Sequence, residues 1–361
     1  MDMNADKEDE MPVVRPFAER IGEAVCGGGL RMDDYWVWGS SVAKGEDGRY
    51  HMFASRWPKT YPFFQGYTAA SEIVRATADT PEGPFEFEEV VLGPRDPQYW
   101  DGRMSHNPCL FQGEGGWYLF YCGVTYREGG TPEEMWVLNQ DPEGGKHGRL
   151  PPWMLDMRSG VAFAERLAGP WQRPDNPLDL AALSRESHNR TVNVTAVETP
   201  EGECRLYYRI TGTGLITAVA PHPAGPYPVK SMRIISDYAV KSYTEDPYVF
   251  RVDDHYELLS KDSTGDFTGE TYALLHSISP DGVDWIPAPA PMACSRHVLW
   301  SDGIVRHQGN LERPFILMED GRPAYLYAAT SDGVHTKEHP AHHNAANTWN
   351  MVIRLRQSDV S

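Results

Sequence analysis

Apolar and polar positions along this chain alternate in a short phrase that recurs about five times. An apolar strand runs into a turn of Asp, Glu, Gly or Pro, and an aromatic strand leaves it. Val42-Ala43-Lys44 turns at Glu46-Asp47-Gly48 into Tyr50-His51-Met52-Phe53, and Cys109-Leu110-Phe111 turns at Gly113 to Gly116 into Trp117-Tyr118-Leu119-Phe120-Tyr121. Thr195-Ala196-Val197, Tyr248-Val249-Phe250 and Phe315-Ile316-Leu317 repeat the phrase further on. A second phrase follows each time: a strand of small and apolar residues, then Gly83-Pro84-Phe85, Gly169-Pro170-Trp171, Gly225-Pro226-Tyr227 or Asp281-Gly282 with Trp285. Pro presets the turn, Gly permits the bend, and the aromatic fills the wedge between neighbouring sheets. Four strands per unit and five units predict an all-β fold, a five-bladed β-propeller.

The innermost strands are expected to begin near Ser41, Pro108, Val194, Pro247 and Pro314. The C-terminal strand is expected to complete a blade beside the N-terminal segment, leaving no open sheet edge. Residues 1–30 read as a segment packing on the propeller, and 31–361 as one propeller domain.

Composition narrows the function. The chain has 361 residues, 40% of them apolar, which is enough for a core of this size. No run of about 18 apolar residues exists to span a membrane. Five cysteines without CxxC spacing argue against a disulfide framework and fit a reducing cytoplasm. The acidic N-terminus lacks the basic and apolar regions of a secretory signal. A formal charge of −18 argues against a nucleic-acid partner, whose phosphates need a basic footprint. No phosphate-loop Lys follows Gly27-Gly28-Gly29 or Gly212-Thr213-Gly214, and no cofactor is expected. The His335, His339, His342 and His343 stretch reads as a loop rather than a metal site. A homo-oligomer stays open.

In a propeller the first strand of each blade lines the axis, so residues at its start face a shared funnel. The chain places Asp34, Trp38, Trp100-Asp101, Arg103, His106-Asn107, His188, Glu245-Asp246 and Glu312-Arg313 around those starts. Carboxylates from several blades converging on one pocket suit glycosidic-bond hydrolysis, which needs one protonated and one ionised acid. Trp36, Trp38, Trp57 and Trp100 offer flat faces to a sugar ring, and Arg56, Arg103, His106, Asn107, His188, His307 and Arg313 complete the candidate sugar contacts.

Glu245-Asp246-Pro247, followed by Tyr248 to Tyr256, resembles the strand-turn-strand signature of the five-bladed propeller glycoside hydrolases. These include the family 43 arabinofuranosidases and xylosidases, the family 117 anhydrogalactosidases, and sucrose- and fructan-cleaving relatives. Gly160 to Ala164 with Gly169-Pro170-Trp171, and Ser279 to Gly282 with Trp285, are similar to their blade phrases, so the resemblance covers roughly Val37 to Leu355. It implies three acidic roles: a base, a pKa modulator that orients the sugar, and an acid. Asp246 takes the modulator's place and Glu312 the acid's. Gly39-Ser40-Ser41 stands where family 43 presents its base, so Asp101, or else Asp34, is expected to substitute. A histidine acid, as the family 117 resemblance implies, keeps His307 and His106 open. The expected activity is an inverting glycosidase that removes a terminal sugar from short oligosaccharides. A non-catalytic carbohydrate-binding propeller, and a phosphorylase using Arg103, Arg313 and His106, are the alternatives.

Overall fold

The computed structural model describes residues 14–125, 156–180, 190–210, 214–235, 244–335 and 341–357. A short strand, β1 (Ile21–Ala24), precedes five antiparallel meanders. The first blade is β2 (Tyr35–Lys44), β3 (Tyr50–Pro58), β4 (Glu72–Ala78) and β5 (Glu86–Leu92), with helix α1 (Phe63–Ala70) between β3 and β4. The second is β6 (Met104–Gly113), β7 (Gly116–Val124) and β8 (Arg158–Ala164). The third is β9 (Thr191–Glu198), β10 (Cys204–Ile210), β11 (Gly214–Ala220) and the two-residue β12 (Arg233–Ile234). The fourth is β13 (Thr244–Val252), β14 (His255–Asp262), β15 (Ala273–Ser279) and β16 (Ile286–Cys294). A hairpin of β17 (His297–Leu299) and β18 (Val305–His307) then leads to the fifth: β19 (Glu312–Glu319), β20 (Arg322–Ser331) and β21 (Thr348–Leu355).

The first strands β2, β6, β9, β13 and β19 touch one another in a closed cycle, which makes them the wall of the axis. The circle closes where β1 pairs antiparallel with β21, so the N-terminal segment supplies the fourth strand of the last blade. This is the closure expected of the C-terminal strand, and it covers an edge that would otherwise present unpaired backbone.

The turn aromatics sit between blades as expected. Phe85 of blade one meets Tyr327 of blade five at 6.4 Å. Trp171, after β8, meets Phe53 of blade one at 5.3 Å, and Trp285 of blade four meets Tyr207 of blade three at 5.8 Å. Tyr227 joins Cys109 and Tyr118 of blade two in one buried cluster. Burying each such ring stabilises the blade interface by about 2 kcal/mol.

The inner strands differ from expectation in one informative way. They begin before the prolines, and the prolines lie within them. Each inner strand breaks register in its first half, between Trp38 and Ser40, His106 and Cys109, Glu245 and Tyr248, and Glu312 and Phe315, and in the third blade opposite Tyr207 to Arg209. At each break one residue is left-handed: Gly39 (φ 31°), Asn107 (55°), Asn193 (58°), Asp246 (58°) and Arg313 (51°). A bulge leaves a backbone N–H unpaired, so the proline that cannot donate fits there without cost. Asn and Asp tolerate this conformation, whereas Arg313 is strained in it and must be held by its surroundings.

Candidate active site

The five left-handed residues form a ring about the axis. Asn107 donates through Nδ2 to Asn193 Oδ1 at 2.8 Å, and Asn193 donates through Nδ2 to Asp246 Oδ1 at 2.7 Å. The backbone N–H of Arg313 donates to Asp246 Oδ2 at 3.2 Å, and its guanidinium Nη1 lies 3.7 Å from Asp246 Oδ1. Gly39 closes the circle by having no side chain. A Cβ there would stand 3.0 Å from Arg313 Cγ and 3.3 Å from Asn107 Oδ1. The Arg313 side chain therefore passes against the bare backbone of Gly39.

The residues just before Asp246 and Arg313 are both glutamates, and they meet over one cation. Lys261 Nζ, from β14, is 2.8 Å from Glu245 Oε2 and 2.8 Å from Glu312 Oε2. Arg209 from β10 also donates to Glu245. His342 Nδ1 lies 3.3 Å from Glu312 Oε1, which also accepts from Asn310 Nδ2 at 3.3 Å. Rings surround that histidine: Phe63 at 4.8 Å, Trp38 at 5.6 Å and Tyr272 at 6.5 Å. Helix α1 brings Phe63 there, its carbonyl accepting from Trp57 Nε1 at 2.9 Å. Glu312, Asp246 and Lys261 are buried, and Glu245 is half-buried.

The electrostatics divide the carboxyls. Burial alone would raise all three. For Glu312, Lys261 and His342 outweigh burial and hold the pKa down at about 2. For Glu245, Lys261 and Arg209 outweigh it and push the value lower still. For Asp246 burial prevails over Lys261 and Arg313, and the nearby Glu312 and Glu245 charges add to it, so its pKa is raised. Lys261, despite its own burial, is held charged by Glu245, Glu312 and Asp246. Burial thus lifts the pKa of Asp246, while Lys261 and His342 hold Glu312 in its ionised form.

Of the sequence candidates, Asp246, Glu312, Glu245, Asn107, Arg313 and Trp38 come together here. Asp101 does not. It is fully buried over the second strand of blade two, where a Cβ on Gly123 would stand 2.5 Å from its own. One oxygen accepts from Arg95 Nε at 2.6 Å, the other from Arg173 Nε at 2.7 Å and Tyr121 Oη at 2.6 Å. Both oxygens of this carboxylate are engaged away from the axial ring, so the structure does not bring it together with Asp246 and Glu312. Trp100 beside it stacks on Tyr121 at 5.4 Å and covers Gly160. Asp34 is exposed in the turn before β2. Arg56 is paired with Glu72 at 2.9 Å and stacked 4.2 Å from Tyr35 and 4.2 Å from Phe87, facing the outer strand of blade one. Arg103 is half-buried and its Nε has no hydrogen-bond partner among the described residues.

His106 lies beneath Trp57 and Tyr67 with Nδ1 2.8 Å from Ser71 Oγ. Burial, reinforced by Arg313, pushes its pKa down to about 3, so it is a neutral imidazole near neutrality. His307 is exposed on the β17–β18 hairpin, away from the ring. His188 and His339 lie outside the described residues.

Sequence reasoning missed Asn193, Arg209, Lys261 and His342 as parts of the site. Asn193 had a signal: Val192-Asn193-Val194 occupies the register of His106-Asn107-Pro108 without its proline. The other three reach the site from second strands and a loop, with no local motif.

No protein-family model matches this chain, and comparison with curated protein sequences finds no match. Solved structures do match. A family 117 glycoside hydrolase from the marine bacterium Zobellia galactanivorans superposes with a TM-score of 0.63 at 13% identity, covering 94% of this chain and 91% of that one. An exo-1,5-α-L-arabinanase from a bovine ruminal metagenomic library gives 0.56 at 13%, covering 91% and 96%. A family 43 β-xylosidase/α-arabinofuranosidase from a compost metagenome gives 0.56 at 12%, covering 97% and 96%. The likeness is one of fold: this chain is built as the five-bladed propeller glycoside hydrolases of families 117 and 43 are built.

Proposed function

We propose that the protein is a glycoside hydrolase that seats a terminal sugar at the propeller axis and cleaves its glycosidic bond by acid–base chemistry. One observation carries this reading. Two glutamates on adjacent blades, Glu245 and Glu312, share one lysine, while Asp246 beside them has its proton affinity raised where that of Glu312 is lowered, as an acid–base machine requires. Glu312, ionised, holds His342, and this pair delivers the proton to the leaving oxygen. Asp246, whose proton affinity burial raises, is the stronger base of the three and activates water. Trp38, Phe63 and Tyr272 around His342 offer apolar faces to the sugar. The propeller fold shared with family 117 and family 43 enzymes supports the same class of substrate.

A panel of aryl and natural glycosides tests the proposal, with release of free sugar as the readout. A second reading has its own observation in Gly39, which leaves the first blade without a side chain at the axial ring. On that reading the protein binds carbohydrate and does not turn it over. Saturable sugar binding without product across the panel would select it.

A further inference from the structure

A cluster outside the funnel has metal-ligand geometry. Glu270 lies in the segment between β14 and β15, while His297 and His307 face each other across the β17–β18 hairpin as directly paired residues. Their rings are stacked, with centroids 4.3 Å apart and planes within 11°. Glu270 Oε1 is 3.6 Å from His297 Nδ1 and 3.9 Å from His307 Nε2, and the three ligand atoms lie within 4.8 Å of one another. A tetrahedral zinc ion, with bonds of about 2.0–2.1 Å, needs its ligand atoms about 3.3 Å apart, so a small contraction closes the site.

The carboxylate is already oriented for this. Glu270 Oε2 accepts from Ser295 Oγ at 2.7 Å and from the Arg296 backbone N–H at 3.3 Å. Oε1 is left buried without a hydrogen bond, although Arg296 Nε stands 3.3 Å away. The histidines are 62% and 51% exposed, so the fourth position opens to water. We propose that Glu270, His297 and His307 bind a divalent ion of the zinc class on the rim of the propeller. Two imidazole nitrogens and one carboxylate oxygen select such an ion over calcium or magnesium, which take all-oxygen sites.

The site joins two pieces of chain that lead to the funnel. Gln308 N–H donates to Arg296 O at 2.8 Å, and Leu311 N–H donates to Tyr272 O at 3.0 Å, one residue before Glu312. A bound ion fixes the Glu270 segment, and with it Tyr272, against the hairpin.

The test is calorimetric titration of zinc chloride into the full chain after chelator treatment, with bound metal counted by elemental analysis. One zinc per chain is expected, bound at micromolar Kd or tighter. His297→Ala and His307→Ala should each weaken it roughly 100-fold, by loss of one of three ligands. His335→Ala, a histidine outside the cluster, should leave it unchanged. Cobalt(II) in place of zinc should give the intense visible absorption of a tetrahedral site, lost in His307→Ala. Absence of saturable binding in the parent chain, or equal affinity in His297→Ala, would overturn the proposal. Chelator-treated variants should melt with the parent, since both side chains are exposed.

Discussion

Lys261 Nζ stands 2.8 Å from Glu312 Oε2, both groups buried at the axis of the propeller. The same ammonium holds Glu245 from the other side, so one lysine keeps two carboxylates ionised where burial would neutralise them.

Lys261→Met should therefore leave both glutamates uncompensated and lower stability by about 3 kcal/mol at neutral pH. The sign with pH follows from Glu312, ordinarily near 4.5 and held at about 2. A depressed carboxyl contributes stability that is fully present above 4.5 and is lost as the pH falls toward 2. The gap between parent and variant should shrink over that window. Denaturant unfolding at several pH values reads it, and a constant gap would show that Lys261 acts through packing alone.

Asp101 should behave as an anchor. Asp101→Asn leaves Arg95 and Arg173 facing a neutral group in a buried place, at a cost of about 3 kcal/mol. Turnover by the folded fraction should stay within a few-fold of the parent. The reverse result, normal melting with turnover abolished, would restore Asp101 as the base.

Protonation of the leaving group should belong to His342 and Glu312. His342→Ala and Glu312→Gln should both slow natural glycosides far more than activated aryl glycosides, whose leaving groups need little protonation. Equal losses on the two substrate types would move the acid elsewhere. His106→Asn should show no leaving-group dependence, because its imidazole is neutral across the working range.

The fold was legible because its signal is local and repeated. Gly83-Pro84-Phe85 and its counterparts each carry a turn and a wedge aromatic within a few residues. The prolines at 108, 247 and 314 were informative but marked bulges rather than strand starts, since a missing donor suits either place. Of the site, Glu245-Asp246 and Glu312-Arg313 could be read because they repeat one offset in two blades. The ion pairs of Asp101 were not legible, because its partner Arg173 is 72 residues away and no local pattern announces a buried ion pair. Lys261 and His342 were obscured likewise, arriving from a second strand and a loop to meet Glu312.

The central claim is that the ring at the axis performs hydrolysis through Asp246. Its most direct test is release of free sugar from a panel of furanosides and pyranosides by the parent chain and by Asp246→Asn. Turnover by the parent on at least one member is expected, with a loss of about 100- to 10,000-fold in the variant. The amide fills the same space but offers one acceptor where the carboxylate offered two to Asn193 and Arg313, so turnover is compared per folded molecule at a temperature below the melting of both proteins. Full activity in Asp246→Asn, or sugar binding by the parent with no turnover on any member, would contradict it.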